Sequence, residues 1–550
     1  MEYIEVAASA KAPARERLAH AFFAVLLVAD IVLRIHRATS HLRFDRGDLL
    51  APFSLTDQFL YGPFPDAGRQ QLLLPALLAL VMRIVHIPND IVAMLKFSHA
   101  ATALFSSLCL IPVYLIVRRL LSAWHALAAA LLLAANGAFA IESYYYNPTQ
   151  VYAFLFTCTL LCLLLPGWRA LLSAAVLAGF SYAIRHEGII LVILFVVLCV
   201  LRWRRKRQPG RALLAAALTA VGLVGIVWTA HWWFSPVSYA FLQNTGARDS
   251  WWSIARYSPA QVGRLLLQCT NLIIERINAL AVIHTLFGVA LVPLGAVFLA
   301  RRNAAIWWGL AHLLLYEVVV FAFIVALPVT DQHYEALQWG APLERYTRYY
   351  HIWTPLLVAL AYAGGWAVTS LFIRSTCRRT LLVGTVVILF AVQQQAALAF
   401  SYASIFGPND RAKYESIYAL AQFCRDHGIR NRQIVLARES GRELVVRGER
   451  DLGRLLHPVY LSILTGHNDV NCWHFDLLQP NIDCKARYDV ETVADLAEHV
   501  NIDFLITPAP SQRAAEYGRL VYSGPEHYVY EVYAGQPCSD AGPPRTGPQD

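Results

Sequence analysis

The chain has 550 residues, of which 57% are hydrophobic and 15% charged, with a net charge of +9. Soluble globular proteins carry about 25% charged residues, so this chain needs lipid around most of its length. The composition excludes a disordered protein, a disulfide-stapled secreted domain, a nucleic-acid binder and a simple soluble enzyme.

Apolar runs fall at 18–36, 91–117, 123–141, 149–166, 169–185, 188–201, 211–231, 277–300, 304–327, 351–373 and 380–403. Each approaches the roughly 20 residues that cross a bilayer as a helix, the run 188–201 only if its flanks join it. A further run, 72–87, carries Arg83 and His86 and reads as an interfacial helix. Loop charge decides this. With the N-terminus (Lys11, Arg15, Arg17) in the cytoplasm, the inner loops carry Arg118-Arg119, Arg169, Arg202–Arg211, Arg301-Arg302 and Arg374–Arg379. After Glu16 they contain no acid. If 72–87 spanned, all these clusters would lie outside, against the positive-inside bias. The expectation is a polytopic α-helical protein of about eleven spans in the cell inner (plasma) membrane. The first span lacks a small-residue cleavage site and is expected to stay as an anchor.

The outer segments are 37–90, 232–276, 328–350 and the tail 404–550. Loops this long beside a membrane are usually functional. Trp232, Trp233, Trp251 and Trp252 read as interfacial anchors, with sugar stacking as the sharper alternative. The tail holds 15 Lys and Arg against 20 Asp and Glu, whereas residues 1–403 hold 31 against 17. The basic excess therefore belongs to the membrane region, expected over 1–403. The tail 404–550 is expected to be an extracytoplasmic α/β domain. Helices are expected at 413–427, 452–464 and 490–499. Strands are expected at 433–437 and 503–506, with a terminal hairpin over 520–523 and 528–533. No Gly-rich phosphate loop occurs there, so a nucleotide site is not expected. Six cysteines, Cys109 to Cys377, read as small hydrophobes in or near spans. In the tail, Cys472 and Cys484 are the expected disulfide pair.

Four outer clusters carry candidate chemistry. After the first span stands Phe44-Asp45-Arg46-Gly47-Asp48. Two membrane-proximal carboxylates suit a general base for an acceptor hydroxyl, or form a plain solvated turn. Arg69-Gln70-Gln71 precedes the interfacial run, where a cation can hold a lipid phosphate or snorkel to headgroups. Arg185-His186-Glu187-Gly188 makes a tight turn between two spans. There Arg185 can pair with Glu187, or Arg185 and His186 can meet a phosphate. Glu344-Arg345-Tyr346-Thr347-Arg348-Tyr349-Tyr350-His351 leads into a late span as belt residues or as a phosphate site. Within the membrane, Asp30 and Arg34 are spaced to pair, and Glu317 should face the bundle interior. Asp331, His333 and Glu335 read as solvated charge rather than metal ligands.

The order of these features resembles the GT-C membrane glycosyltransferases over roughly residues 1–400. The similarity is greatest to the bacterial protein-mannosyltransferase and aminoarabinose-transferase branch. That family's first outer loop often reads Asp-x-Asp-Glu or Asp-Glu; here Gly47 replaces one acid. The resemblance makes Asp48 the first choice for the base and Asp45 the second. It places Arg69 where the family has a lysine that meets the donor phosphate, though the flanking prolines are missing here. Arg345-Tyr346 or Arg348-Tyr349, followed by Pro355, resembles the family's Arg-Tyr…Pro start of a late span.

What the resemblance implies is an inverting transferase moving a sugar from a polyprenyl-phosphate donor to an acceptor hydroxyl of a protein, lipid or glycan. Arg69, Arg185, His186, Arg345, Tyr346 and Arg348 become candidates for the donor phosphate. A divalent metal stays open, because some oligosaccharyltransferases of this superfamily need one and the favoured branch generally does not. Membrane lipids are expected partners and nucleic acid is not. A transporter or flippase of lipid-linked sugars would show internal repeats and broken mid-span helices; no clear repeat occurs. An oligosaccharyltransferase would carry a Trp-Trp-Asp-like motif in the tail, which is absent. A non-catalytic scaffold presenting the tail is the remaining rival.

Overall fold

A computed structural model describes residues 12–41, 56, 59–60, 72–204, 210–234, 291–326, 351–405, 411–427, 434–440, 443–446, 504–507, 509–525 and 527–532. The chain divides into two compact units. One comprises residues 1–41, 67–78 and 95–407, the other 42–66, 79–94 and 408–550.

The first unit is a helical bundle. Its helices include α1 (Ala12–Thr39), α2 (Leu73–Val85), α3 (Ile91–Leu108), α4 (Leu110–Leu120), α5 (Ala123–Ala135) and α6 (Gly137–Glu142). They continue with α7 (Pro148–Leu164), α8 (Trp168–Ile184), α9 (Gly188–Arg204), α10 (Gly210–Phe234), α11 (Ala305–Ala326), α12 (Thr354–Phe372) and α13 (Thr376–Ile405). Residues 73–78 of α2 and 95–108 of α3 belong to this unit and the rest of those two helices to the other. Among the described residues, five helical stretches are long and apolar enough to cross a bilayer: Ala14–Thr39, Ile91–Leu120, Gly210–Ala230, Thr354–Phe372 and Thr376–Phe400. Large apolar side chains such as Val25, Val32, Leu218, Ile226, Val392 and Phe400 are exposed on these helices, a surface suited to lipid. The chain is a multi-pass membrane protein.

The run 123–141 was expected as one span and is two helices, because the chain breaks at Asn136. The Asn136 side chain accepts a hydrogen bond from Phe139 N at 2.8 Å and starts α6. A break inside a membrane frees backbone groups that water cannot reach. Here Arg34 donates to Ala134 O at 3.2 Å and Gln395 to Ala135 O at 3.4 Å, while Gly137 N donates to Gln394 Oε1 at 3.4 Å. The run 91–117 likewise divides at Cys109 and continues to Leu120. The short run 188–201 gains its flank and extends to Arg204.

Asp30 and Arg34 pair as expected, at 2.8 Å with side chains 7% and 2% exposed. Arg34 also donates to Ser106 Oγ at 3.1 Å and Ser143 Oγ at 3.4 Å. The pair is thus tied to α1, α3, α5 and the segment after α6. The side chain of Glu317 lies outside the described residues.

Antiparallel alternation gathers the basic turns at one end of this unit. Arg302 Nη1 donates to Leu120 O at 2.6 Å, Arg202 Nη2 to Leu163 O at 3.3 Å and Arg379 Nη2 to Ile373 O at 2.8 Å. Each arginine meets carbonyls at a helix C-terminus, the negative end of the helix dipole.

The second unit contains α14 (Arg411–Asp426), β1 (Ile434–Ser440), β2 (Glu443–Val446), β3 (Phe504–Thr507), α15 (Gln512–Tyr517), β4 (Gly518–Ser523) and β5 (Tyr528–Val532). Its sheet has the order β2-β1-β3-β5-β4. β1 and β3 run parallel, and the other pairs are antiparallel. The expected strands at 433–437 and 503–506 and the terminal hairpin all form. β2 and α15 were not anticipated. The expected helices at 452–464 and 490–499 and the Cys472–Cys484 pair lie outside the described residues. Phe423 packs against Tyr522 with ring centroids 4.7 Å apart, and Ser416 Oγ meets His527 Nδ1 at 3.0 Å. Residues 79–94 join this unit: Ile91 N donates to Gln422 Oε1 at 3.2 Å, and Arg83 Nη2 donates to Leu60 O at 2.8 Å.

Candidate functional site

At the end of the bundle opposite the arginines, four chain segments meet in a buried polar layer. They are the end of α1, the segment joining α6 to α7, the α8–α9 turn and the start of α12. The α6–α7 segment reads Glu142-Ser143-Tyr144-Tyr145-Tyr146-Asn147 and is buried throughout. Asn147 caps α7, its side-chain oxygen accepting from Thr149 N at 2.9 Å, and Pro148 occupies the first turn, where no backbone donor is missed. The Asn147 amide nitrogen donates to Glu142 Oε2 at 3.0 Å. His351 Nε2 lies 3.9 Å from Glu142 Oε1. That contact brings the last residue of the predicted Arg-Tyr cluster to the carboxylate.

His41, at the end of α1, bonds Tyr144 O through Nε2 at 3.1 Å and stacks on His99 at 5.3 Å. In sequence it stands four residues before Asp45. Arg37, one turn earlier, donates to Tyr144 Oη at 3.4 Å.

The α8–α9 turn is as tight as its sequence implies. A Cβ at Gly188 would collide with the Ser181–Tyr182 backbone, so only glycine fits. Arg185 Nη2 meets Glu187 Oε1 at 2.7 Å and its Nε meets Oε2 at 3.1 Å, while Nη1 donates to Thr149 Oγ1. Burial would raise the Glu187 pKa, but the Arg185 charge and hydrogen bonds prevail and hold it at about 2. The turn therefore keeps a full ion pair across the whole physiological range. His186, between the paired residues, is exposed at the tip.

Of the predicted site residues, Arg185 falls in this layer and His186 lies at its exposed edge. Asp45, Asp48, Arg69, Arg345, Tyr346 and Arg348 lie outside the described residues. Glu142 and Asn147 are not among the predicted site residues; the apolar run 123–141 ends one residue short of the acid. Its signal was there: an acid directly after a long apolar run, followed by three tyrosines. Among the described residues no group of three His, Cys, Asp or Glu is placed to hold a metal ion. Glu142 and His351 make at most a pair.

No protein-family profile and no curated protein matches the sequence. Solved structures do. The Archaeoglobus fulgidus oligosaccharyltransferase in complex with Zn and sulfate superposes with a TM-score of 0.51 at 14% identity, over 88% of this chain and 68% of that one. The chain shares the fold of that enzyme, the GT-C fold. The same archaeal enzyme tethered to an acceptor peptide gives 0.51 at 12% identity, over 87% and 68%. ArnT from Cupriavidus metallidurans aligns over 95% of this chain and 99% of its own, at 13% identity and a TM-score of 0.42.

Proposed function

We propose that the chain is an inverting glycosyltransferase. It moves a sugar from a polyprenyl-phosphate donor to an acceptor hydroxyl on the outer face of the inner membrane. The observation that supports this most is the convergence, in a GT-C fold, of the Arg185 turn, Glu142 and the start of α12 on one buried polar layer. Asp48 takes the acceptor proton, with Asp45 as the alternative base. The acceptor oxygen attacks the anomeric carbon from the face opposite the phosphate, and the C–O bond to phosphate breaks with its electron pair going to the phosphate. Single displacement inverts the configuration. Arg69, Arg345, Tyr346 and Arg348 stabilise the departing lipid phosphate by charge-assisted hydrogen bonds. Arg185 serves from a guanidinium already fixed by Glu187 and Thr149, with His186 beside it. Residues 1–403 form the catalytic membrane region and 404–550 the domain outside, with the N-terminus cytoplasmic.

Transfer from a purified polyprenyl-phosphate sugar tests the assignment. Asp48→Asn is expected to lose at least about 100-fold in rate, the usual scale for a general base. Full activity in both Asp48→Asn and Asp45→Asn removes the assignment. The fold score of the archaeal enzyme gives a second reading, an oligosaccharyltransferase, its support. Glycosylation of a peptide amide with no transfer to hydroxyl acceptors would select it.

A further inference from the structure

The outer polar layer leaves unused the largest concentration of charge in the described bundle, at its opposite end. The turns 118–119, 301–302 and 374–379 carry seven arginines and no acid. Contacts bring these turns together, although they lie as much as 261 positions apart in sequence. Arg302 Nη1 reaches Leu120 O. His125 bonds Tyr362 Oη at 2.7 Å and packs on Trp366 at 4.1 Å. Arg379 lies over the other part of that assembly, its guanidinium 4.9 Å from the Trp366 ring centre. The Arg302 guanidinium sits 4.9 Å over Phe298. His125 is within electrostatic reach of both cations.

A positive-inside bias by itself asks only for arginines on one side. It does not gather them at one spot, where like charges repel, nor lay two guanidinium planes on aromatic rings. Glu16, 3.8 Å from Arg118, is the one acid paired with these turns among the described residues. Arg379 Nε is buried with no partner there. Fixed, planar, under-neutralised guanidinium groups at a membrane surface suit a phosphate oxygen pair.

We propose that the patch around His125, Arg302 and Arg379 is a binding site for the phosphodiester headgroup of an anionic phospholipid. The lipid comes from the leaflet facing that end of the bundle. Aromatic faces hold the guanidinium groups level with the headgroups, and the exposed apolar surface of the neighbouring helices takes the acyl chains. The site is independent of the transfer reaction.

Native mass spectrometry of the full chain in mixed micelles tests this, with dioleoylphosphatidylglycerol against dioleoylphosphatidylcholine as probes. The wild type is expected to prefer the anionic lipid by about thirtyfold, at roughly 1 kcal/mol for each of the two central arginines. Arg302→Gln with Arg379→Gln should remove most of that preference, and Arg204→Gln, at the end of α9, should change it less than about twofold. Should the first pair fail to fold, Arg119→Gln with Arg378→Gln, both exposed, reads the same loss. Three results overturn the proposal: no loss in either pair, an equal loss in Arg204→Gln, or displacement of the lipid by excess inorganic phosphate.

Discussion

Arg34 shows how much one side chain can carry in a bundle. It neutralises Asp30, bonds two serines and closes the carbonyl left open by the break after α5. A buried pair is expensive to break from one side, because the survivor keeps its charge without compensation. Asp30→Asn should therefore destabilise the protein by about 3–5 kcal/mol, and replacing both residues by apolar ones of similar volume should cost less than the single change. Unfolding in mixed micelles reads this. A cost for Asp30→Asn below about 1 kcal/mol, the range of an ordinary surface change, would show the pair to be incidental. The Asp30–Arg34 and Arg185–Glu187 contacts were legible in sequence because their partners are four and two positions apart. Ser106, Ser143 and Thr149 were not, because only the packing of distant helices brings them to those charges.

Two elements make sharper predictions. The α8–α9 turn has no room for a side chain at Gly188, so Gly188→Ala should cost more than about 2 kcal/mol and loosen the Arg185–Glu187 pair. Wild-type unfolding in that variant contradicts the geometry. In the second unit, burial lowers the His527 pKa from 6.5 to about 4 beside Ser416. The unfolded chain takes up that proton below 6.5 and the folded unit refuses it until about 4. Stability is thus complete above pH 6.5 and falls as the pH drops toward 4, by up to about 3 kcal/mol. Hydrogen exchange in β4 and β5 should accelerate over that window, and His527→Gln should flatten the response. A flat wild-type profile argues against a buried neutral imidazole. Helix and strand type were readable for most of these elements from apolar periodicity. The breaks at Cys109 and Asn136 were not, because hydropathy averages over a kink and the satisfying groups, Gln394 and Gln395, lie on α13.

For the whole molecule, charge asymmetry carried the most information. The turns predicted on one side of the membrane do share one end of the bundle, and their arginines double as partners for helix carbonyls. The placement of charge between the apolar runs therefore separated the two ends. The polar layer at the other end was only half legible, through its ionised turn and the Arg-Tyr cluster that ends at His351. The most direct measurement of the central claim is the fate of donor and acceptor in one reaction. The purified chain is incubated with a polyprenyl-phosphate sugar of known anomeric configuration and a hydroxyl acceptor, and the products are read by nuclear magnetic resonance. The account predicts stoichiometric release of polyprenyl phosphate and a product of inverted configuration, both suppressed by Asp48→Asn. A product of retained configuration, or passage of intact donor across the membrane without release of lipid phosphate, would contradict it.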